Sequence, residues 1–186
     1  MRSLTLAALA LTLTACAQPP PHEAAGCARS ATHEVTWTQA QTADVITTSS
    51  DGPSCSQAVV TFVARNANGD PLWAFASTYY EMTAGGAPPP GAPPVTAAEI
   101  DTFLAGWADV TMSTTNTLPE WREGAATLTE SASTFAYDTP LARDVYESLR
   151  ARNLRMLCYA AGVESTQCLI VDPATNAPGK IVAYGP

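Results

Sequence analysis

Gln57-Ala58-Val59-Val60-Thr61-Phe62-Val63-Ala64-Arg65 and Pro71-Leu72-Trp73-Ala74-Phe75-Ala76-Ser77-Thr78-Tyr79-Tyr80 flank the short segment Asn66-Ala67-Asn68-Gly69-Asp70. Both runs are rich in β-branched and aromatic residues, which pack well on a pleated surface. Asn68-Gly69 supplies the positive φ angles of a tight hairpin, so the two runs predict adjacent antiparallel strands. Apolar residues fall on both faces, with Val59 and Val63 alternating with Val60 and Phe62, and Leu72 and Ala74 with Trp73 and Phe75. Strands that are apolar on both faces read as central, which predicts a sheet covered on each side.

Working outward, His33-Glu34-Val35-Thr36-Trp37-Thr38 alternates in the manner of a strand, and Asp44 to Thr48 is a second candidate. Asp51-Gly52-Pro53-Ser54 is turn chemistry. Residues 83–94 are rich in Gly, Ala and Pro, a composition that excludes helix and central strand and predicts an exposed connector. Thr96-Ala97-Ala98-Glu99 then forms a capping box, with Val95 placed to staple onto Ile100. Ile100, Phe103, Leu104 and Trp107 recur at helical spacing and predict one apolar face. Residues 112–117 read as a Ser/Thr-rich loop and residues 126–130 as a short strand. Asp138-Thr139-Pro140 predicts an N-cap with Pro140 at the first position of a second helix, whose stripe Leu141, Val145 and Leu149 is widened by Ala142 and Tyr146 and which Asn153 ends in the left-handed conformation. Alternation over Leu154–Ala160, Gln167–Asp172 and Lys180–Tyr184 predicts a C-terminal β-meander. The sum is an α+β domain: an antiparallel sheet of about five to seven strands with two main helices packed on it.

The chain has 186 residues, 46% hydrophobic and 14% charged, which implies one globular domain rather than a disordered chain. Its net charge is −8 and Lys180 is its single lysine. Nucleic-acid binding needs clustered Lys and Arg to neutralise phosphates, so this class is excluded.

The N-terminus sets the address. Met1-Arg2 precedes an uncharged apolar run from Leu4 to Leu13, closed by Leu13-Thr14-Ala15-Cys16. The run is shorter than the roughly 20 apolar residues a membrane-spanning helix needs, and it has the layout of a secretory signal. Leu13-Thr14-Ala15-Cys16 resembles the lipobox of bacterial lipoproteins. The resemblance implies cleavage before Cys16, a diacylglycerol on the Cys16 sulfur and a fatty acid on its new amino group. Ala17 in the following position implies the outer membrane, facing the periplasm. The competing reading is ordinary signal cleavage at Ala15-Cys16-Ala17, which discards Cys16 and releases a soluble periplasmic or secreted chain starting at Gln18. The expected organisation is therefore a signal peptide over 1–15, a lipidated Cys16 with a Pro-rich tether over 16–26, and a single domain over 27–186. Loss of Arg2 takes the net charge from −8 to −9. That acidity disfavours docking on anionic lipid heads, so the lipid would hold the protein at the membrane.

Setting Cys16 apart leaves Cys27, Cys55, Cys158 and Cys168, an even number for an oxidising compartment, with three connectivities. The expectation is the two sequence-local closures, Cys27–Cys55 and Cys158–Cys168. A metal centre is disfavoured: there is no Cys-x-x-Cys pair, and His22 and His33 are distant in sequence from Cys158 and Cys168. No cofactor motif is present.

No nucleophile elbow, zinc helix or phosphate loop appears. His33 reads as a half-exposed structural residue, and His22 as a solvated residue of the tether. Glu120-Trp121-Arg122-Glu123 is the most suggestive polar cluster, because paired acids beside an aromatic are how glycosidases work. Its plainer reading packs Trp121 over a sheet edge with the charges in water. Tyr79-Tyr80 likewise reads as sheet edge first and ligand platform second. These features predict a lipid-anchored envelope protein that works by binding an envelope protein or the cell wall. The alternatives are an acidic inhibitor of a basic lytic enzyme and a cell-wall glycan hydrolase using Glu120 or Glu123.

Overall fold

The computed structural model describes residues 26–38, 41–132 and 135–185. The signal segment, Cys16, His22 and the tether up to Ala25 lie outside the described residues. In chain order the elements are β1 (Arg29–Val35), β2 (Asp44–Asp51), β3 (Val59–Arg65), β4 (Pro71–Thr78), α1 (Tyr79–Ala84), α2 (Ala97–Ala108), β5 (Thr111–Thr114), α3 (Leu128–Ser131), β6 (Ala136–Asp138), α4 (Arg143–Ala151), β7 (Arg155–Gly162), β8 (Ser165–Val171) and β9 (Pro178–Gly185). They form an α+β fold with two antiparallel sheets, β1-β2-β3-β4 and β5-β7-β8-β9-β6. The single sheet expected from the sequence is therefore two, of four and five strands. Periodicity identifies strands, but it does not say which strands share a ladder.

The inner face of the first sheet carries Ile46, Val60, Phe62 and Ala64, all fully buried. Two different elements cover it. Helix α2 lies on β1 and β2, with Ile100, Leu104 and Trp107 turned inward. Strands β7 and β8 cover the β3–β4 half with Leu157, Tyr159 and Leu169. Tyr159 stacks on Phe62 with ring centroids 4.6 Å apart, and the Trp73 indole donates to its hydroxyl at 2.9 Å. The Trp107 indole donates to the Ala160 carbonyl at 2.8 Å, tying α2 to the second sheet.

The outer face of the first sheet is open, contrary to the expectation of a sheet covered on both sides. Val59 is 46% exposed, and Ala74 and Ala76 are exposed. The residues beside them are Thr47, Ser49 and Thr61, and the Ser49 and Thr61 hydroxyls bond each other at 2.6 Å. Valines on β3 reflect preference for the pleat, while small and hydroxylated neighbours let that face tolerate water. The hairpin loop also differs in detail. Gly69 alone takes a positive φ, of 87°, and the Asn66 side-chain oxygen accepts from the Asn68 and Asp70 amides.

The first strand begins earlier than its pattern suggests, so Trp37 falls beyond β1, in the loop to β2. Its ring is nonetheless buried. Asp44, fully buried, organises this loop by accepting from the backbone amides of Trp37 and Thr38 at 2.9 and 2.6 Å and from the Thr38 hydroxyl at 2.8 Å. Tyr79 and Tyr80 leave the sheet and open α1, which Thr78 caps and Gly85 ends at φ 71°. Residues 112–114 of the expected loop belong to β5, and residues expected as a strand near Leu128 form α3, capped by Thr127.

The far face of the second sheet packs on α4. This helix starts at Arg143, not at Pro140, because Asp138 belongs to β6 and the Thr139 hydroxyl donates to the Ile181 carbonyl at 2.6 Å. Leu141 therefore precedes the helix; Tyr146 is fully buried and Leu141 and Leu149 pack beside it as expected, while Val145 turns outward, 44% exposed. The Tyr146 hydroxyl donates to the Pro119 carbonyl at 2.7 Å, and burial holds its pKa well above the usual phenol range. Asn153 takes the expected left-handed conformation, with φ 53°.

Both disulfides follow the sequence-local pairing. Cys27–Cys55 closes the end where β1 begins, and Cys158–Cys168 joins directly opposed residues of β7 and β8. In the loop-entropy picture, replacing both cysteines of a bridge by Ala should cost about 3.6 kcal/mol for Cys27–Cys55 and about 2.8 kcal/mol for Cys158–Cys168, measured by urea unfolding. In α2 the capping box is complete: Glu99 accepts from the Thr96 amide at 2.7 Å and the Thr96 hydroxyl at 2.8 Å. Those bonds hold the Glu99 carboxyl below the usual range. A lowered carboxyl stabilises the fold above its unfolded pKa and loses that effect as pH falls through its folded value. Thr96→Ala should cost about 1 kcal/mol at neutral pH, and the gap from the parent should narrow in acid unfolding curves.

Candidate functional site

The residues singled out by sequence do not assemble into a reaction centre. His33 lies exposed on β1, with Nε2 3.7 Å from the Asp109 carboxylate, which is itself exposed. Glu120 and Glu123 are both exposed. Trp121 packs edge-on against Tyr146 of α4, with centroids 6.0 Å apart, and not over a sheet edge as its plainer reading expected. Its indole donates to the Ala125 carbonyl at 3.1 Å and its amide to Glu147 at 2.6 Å. Trp121 is thus held by the fold, and its two glutamate neighbours face water. Among the described residues, no group of three His, Cys, Asp or Glu is placed to hold a metal ion, and no helix is long and apolar enough to cross a membrane.

A different set of residues does converge. The β1–β2 and β3–β4 loops emerge at one end of the first sheet, because antiparallel neighbours place alternate connections together. The start of β7 and the end of β8 lie at the same end of their sheet, with Met156 opposite Ile170. Between these loops lie two adjoining clefts of about 280 and 350 Å³, sharing Thr38, Val171 and Asn176. Trp37 and Arg155 line the first cleft; Thr42, Asn66 and Asn68 line the second. These sizes approach the range of about 300–1,000 Å³ found for small-molecule sites.

The hydrogen bonding of this end is incomplete. Trp37 is 2% exposed, yet its indole N–H has no partner among the described residues, and the buried hydroxyl of Thr42 has none either. Leaving a buried donor unmet costs about 1–3 kcal/mol, so each such group calls for a partner. Asn68 and Asn176 at the rim are exposed and Arg155 is half-buried, so their polar groups reach water. By contrast, the indoles of Trp73, Trp107 and Trp121 all donate to internal acceptors. Asn176 adopts a left-handed backbone, φ 54°, at the turn after Asp172. That turn is firm: the Asp172 carboxylate accepts from the Ala174 amide and the Thr175 hydroxyl, which lower its pKa.

Sequence reasoning missed this cleft. Its residues read in the chain as ordinary strand members or turn formers, and nothing in their spacing says that four loops meet. A third concavity, about 510 Å³, lies between α4 and the β8–β9 hairpin. It is lined by Leu141, Val145, Leu149 and Ile170, with Lys180 beside them. No protein-family model, no curated protein and no solved structure matches the chain.

Proposed function

We propose that this chain is a lipid-anchored protein of the bacterial envelope, held by Cys16 and facing the periplasm, that acts by binding through its loop-end cleft. The observation that carries the binding half of this reading is the character of that cleft. It gathers polar side chains from separate loops, Thr38, Thr42, Asn66, Asn68 and Asn176, beside apolar ones, and its described lining contains no carboxylate, histidine or cysteine. The hydrolytic alternative would place Glu120 or Glu123 in a cleft beside a sugar ring. Both glutamates are exposed and line none of the three concavities above.

The direction of the chain supports the tethered arrangement. Cys27 lies at the end of the first sheet opposite the cleft, where its amide donates to the Gly52 carbonyl at 2.9 Å. The seven residues of β1 run from there toward the cleft, a distance of roughly 23 Å at the rise of an extended strand. An anchor leading into Cys27 through a Pro-rich spacer of at most ~30 Å would leave the cleft pointing away from the membrane.

A second reading, inhibition of a basic lytic enzyme, draws on the net charge of −8. Such a charge speeds encounter with a cationic partner at low salt.

Mass spectrometry of the mature protein should find residue 16 as the first residue, with a thioether-linked diacylglycerol and an amide-linked acyl chain. An unmodified chain starting at Gln18 would remove the anchor. Glu120→Gln and Glu123→Gln should leave capture of crosslinked envelope partners unchanged; loss of a glycan-cleaving activity in either variant would favour the hydrolase instead. If a basic enzyme is the partner, association should slow at least tenfold between low salt and about 0.15 M, and a flat salt dependence would exclude it.

A further inference from the structure

We infer that the end of the domain from which the tether leaves is a membrane-seating surface, resting on a bilayer of zwitterionic phospholipid. The inference depends on the anchor at Cys16 proposed above and adds the face that meets the lipid. Register fixes which groups share this end. Cys27 bonds to Gly52, Asp51 pairs with Val59 and Val59 with Thr78, so β1 and β3 start where β2 and β4 end. The β7–β8 turn lies here too, because Ser77 and Glu81 line one concavity with Gly162 and Val163. Gly185, closing β9, sits so near the Glu164 carbonyl that a Cβ would clash with it. Ala136 pairs with Gly185, which brings Phe135 to the same end.

Five large apolar side chains are exposed among the described residues, and three of them, Val59, Phe135 and Val163, stand at this end, 46%, 44% and 51% exposed. Phe135 groups with Tyr184 and Tyr137, ring centroids 5.5 and 6.3 Å away, and tyrosine suits the headgroup level of a bilayer. The Pro-rich connector belongs to the same end. It leaves α1 with Gly85 beside the Val163 side chain and returns where the Val95 amide donates to the Ser56 hydroxyl at 2.9 Å. No charged residue occurs between Glu81 and Glu99. The opposite end is polar, with Asn66, Asn68, Asp70, Arg155 and Asn176 in its loops. Such a contrast across one small domain suits a boundary between lipid and water. What selects lipid as the occupant is where the chain leads: the spacer enters at Cys27, and its reach of at most ~30 Å keeps this end beside an acylated Cys16. Asp51, Glu81 and Glu164 are exposed here, and Arg29 is already paired with Asp101. These carboxylates repel an anionic leaflet and suit headgroups that carry an ammonium.

The four phenylalanines make the test internally controlled. Phe62 is fully buried, Phe75 and Phe103 are half-buried, and Phe135 is exposed. The mature acylated protein, labelled with fluorophenylalanine, is placed in nanodiscs of phosphatidylcholine and phosphatidylethanolamine that carry a nitroxide on the headgroup. In ¹⁹F spectra the Phe135 signal should broaden at least about fivefold more than that of Phe62, which lies three residues, roughly 10 Å, farther along β3 than Val59. The double variant V59T/V163S removes two of the three apolar contacts. It should cut the excess broadening of Phe135 at least about twofold, with an unchanged melting curve. Added phosphatidylglycerol should lessen the broadening as well. Four outcomes would overturn the inference: Phe135 broadened no more than Phe62, undiminished broadening in V59T/V163S, a gain with phosphatidylglycerol, or a Phe135 shift that follows protein density and not lipid, the mark of a second copy on this surface. Failure of the anchor is told apart by mass spectrometry: an unmodified N-terminus would sink both readings, whereas acylated protein whose Phe135 stays sharp would keep the anchor and strike the seating surface alone.

Discussion

Tyr159 is the contact on which the rest of the molecule depends. Its ring stacks on Phe62 of the first sheet, its hydroxyl accepts from Trp73, and the same hydroxyl donates to Gln167 at 3.0 Å on β8. A buried phenol needs its oxygen satisfied, and here one oxygen links two strands of one sheet to one of the other. Burial raises its pKa, so it stays protonated as a donor across the physiological range. Phe75 and Trp107 complete the aromatic cluster around it. Without this seam, the first sheet would keep α2 over β1 and β2 and lose the cover over β3 and β4.

The stacking of the two sheets also creates the cleft. Each sheet alone delivers loops to its own end; only their apposition brings the β1–β2 and β3–β4 loops against Val171 and Asn176. Asp44 and Asp172 then act as local braces. Asp44 holds Trp37 and Thr38 from within the core, and Asp172 holds the turn that presents Asn176. The disulfides stand elsewhere, one at the opposite end of the first sheet and one across β7 and β8, so the covalent constraints leave the loop end free of cross-links.

The errors in reading the chain share a cause. The face of Leu141, Val145, Leu149 and Tyr146 is sound as periodicity, yet the later helix start leaves Val145 exposed and centres the packing on Tyr146, in one cluster with Met156 and Ile170. The β3–β4 hairpin is apolar on both faces in sequence, but only the even-numbered residues of β3 are buried, because no element was available for the other face. Glu120-Trp121-Arg122-Glu123 drew attention by composition, and the fold used its tryptophan as packing. Conversely, Trp37 reads as a strand residue and instead lies, buried, in a loop that no pattern marks.

What the amino-acid order by itself determined is local: the capping box of α2, the left-handed Asn153, the C-terminal meander, the hairpin around Gly69 and the two short-range disulfides. Each depends on neighbours within a few turns or one loop closure, where propensity and spacing carry the physics. Tertiary structure alone decided the split into two sheets, the open outer face and the meeting of four loops around Trp37. These follow from competition among apolar surfaces for limited cover, and that competition is settled between residues far apart in the chain.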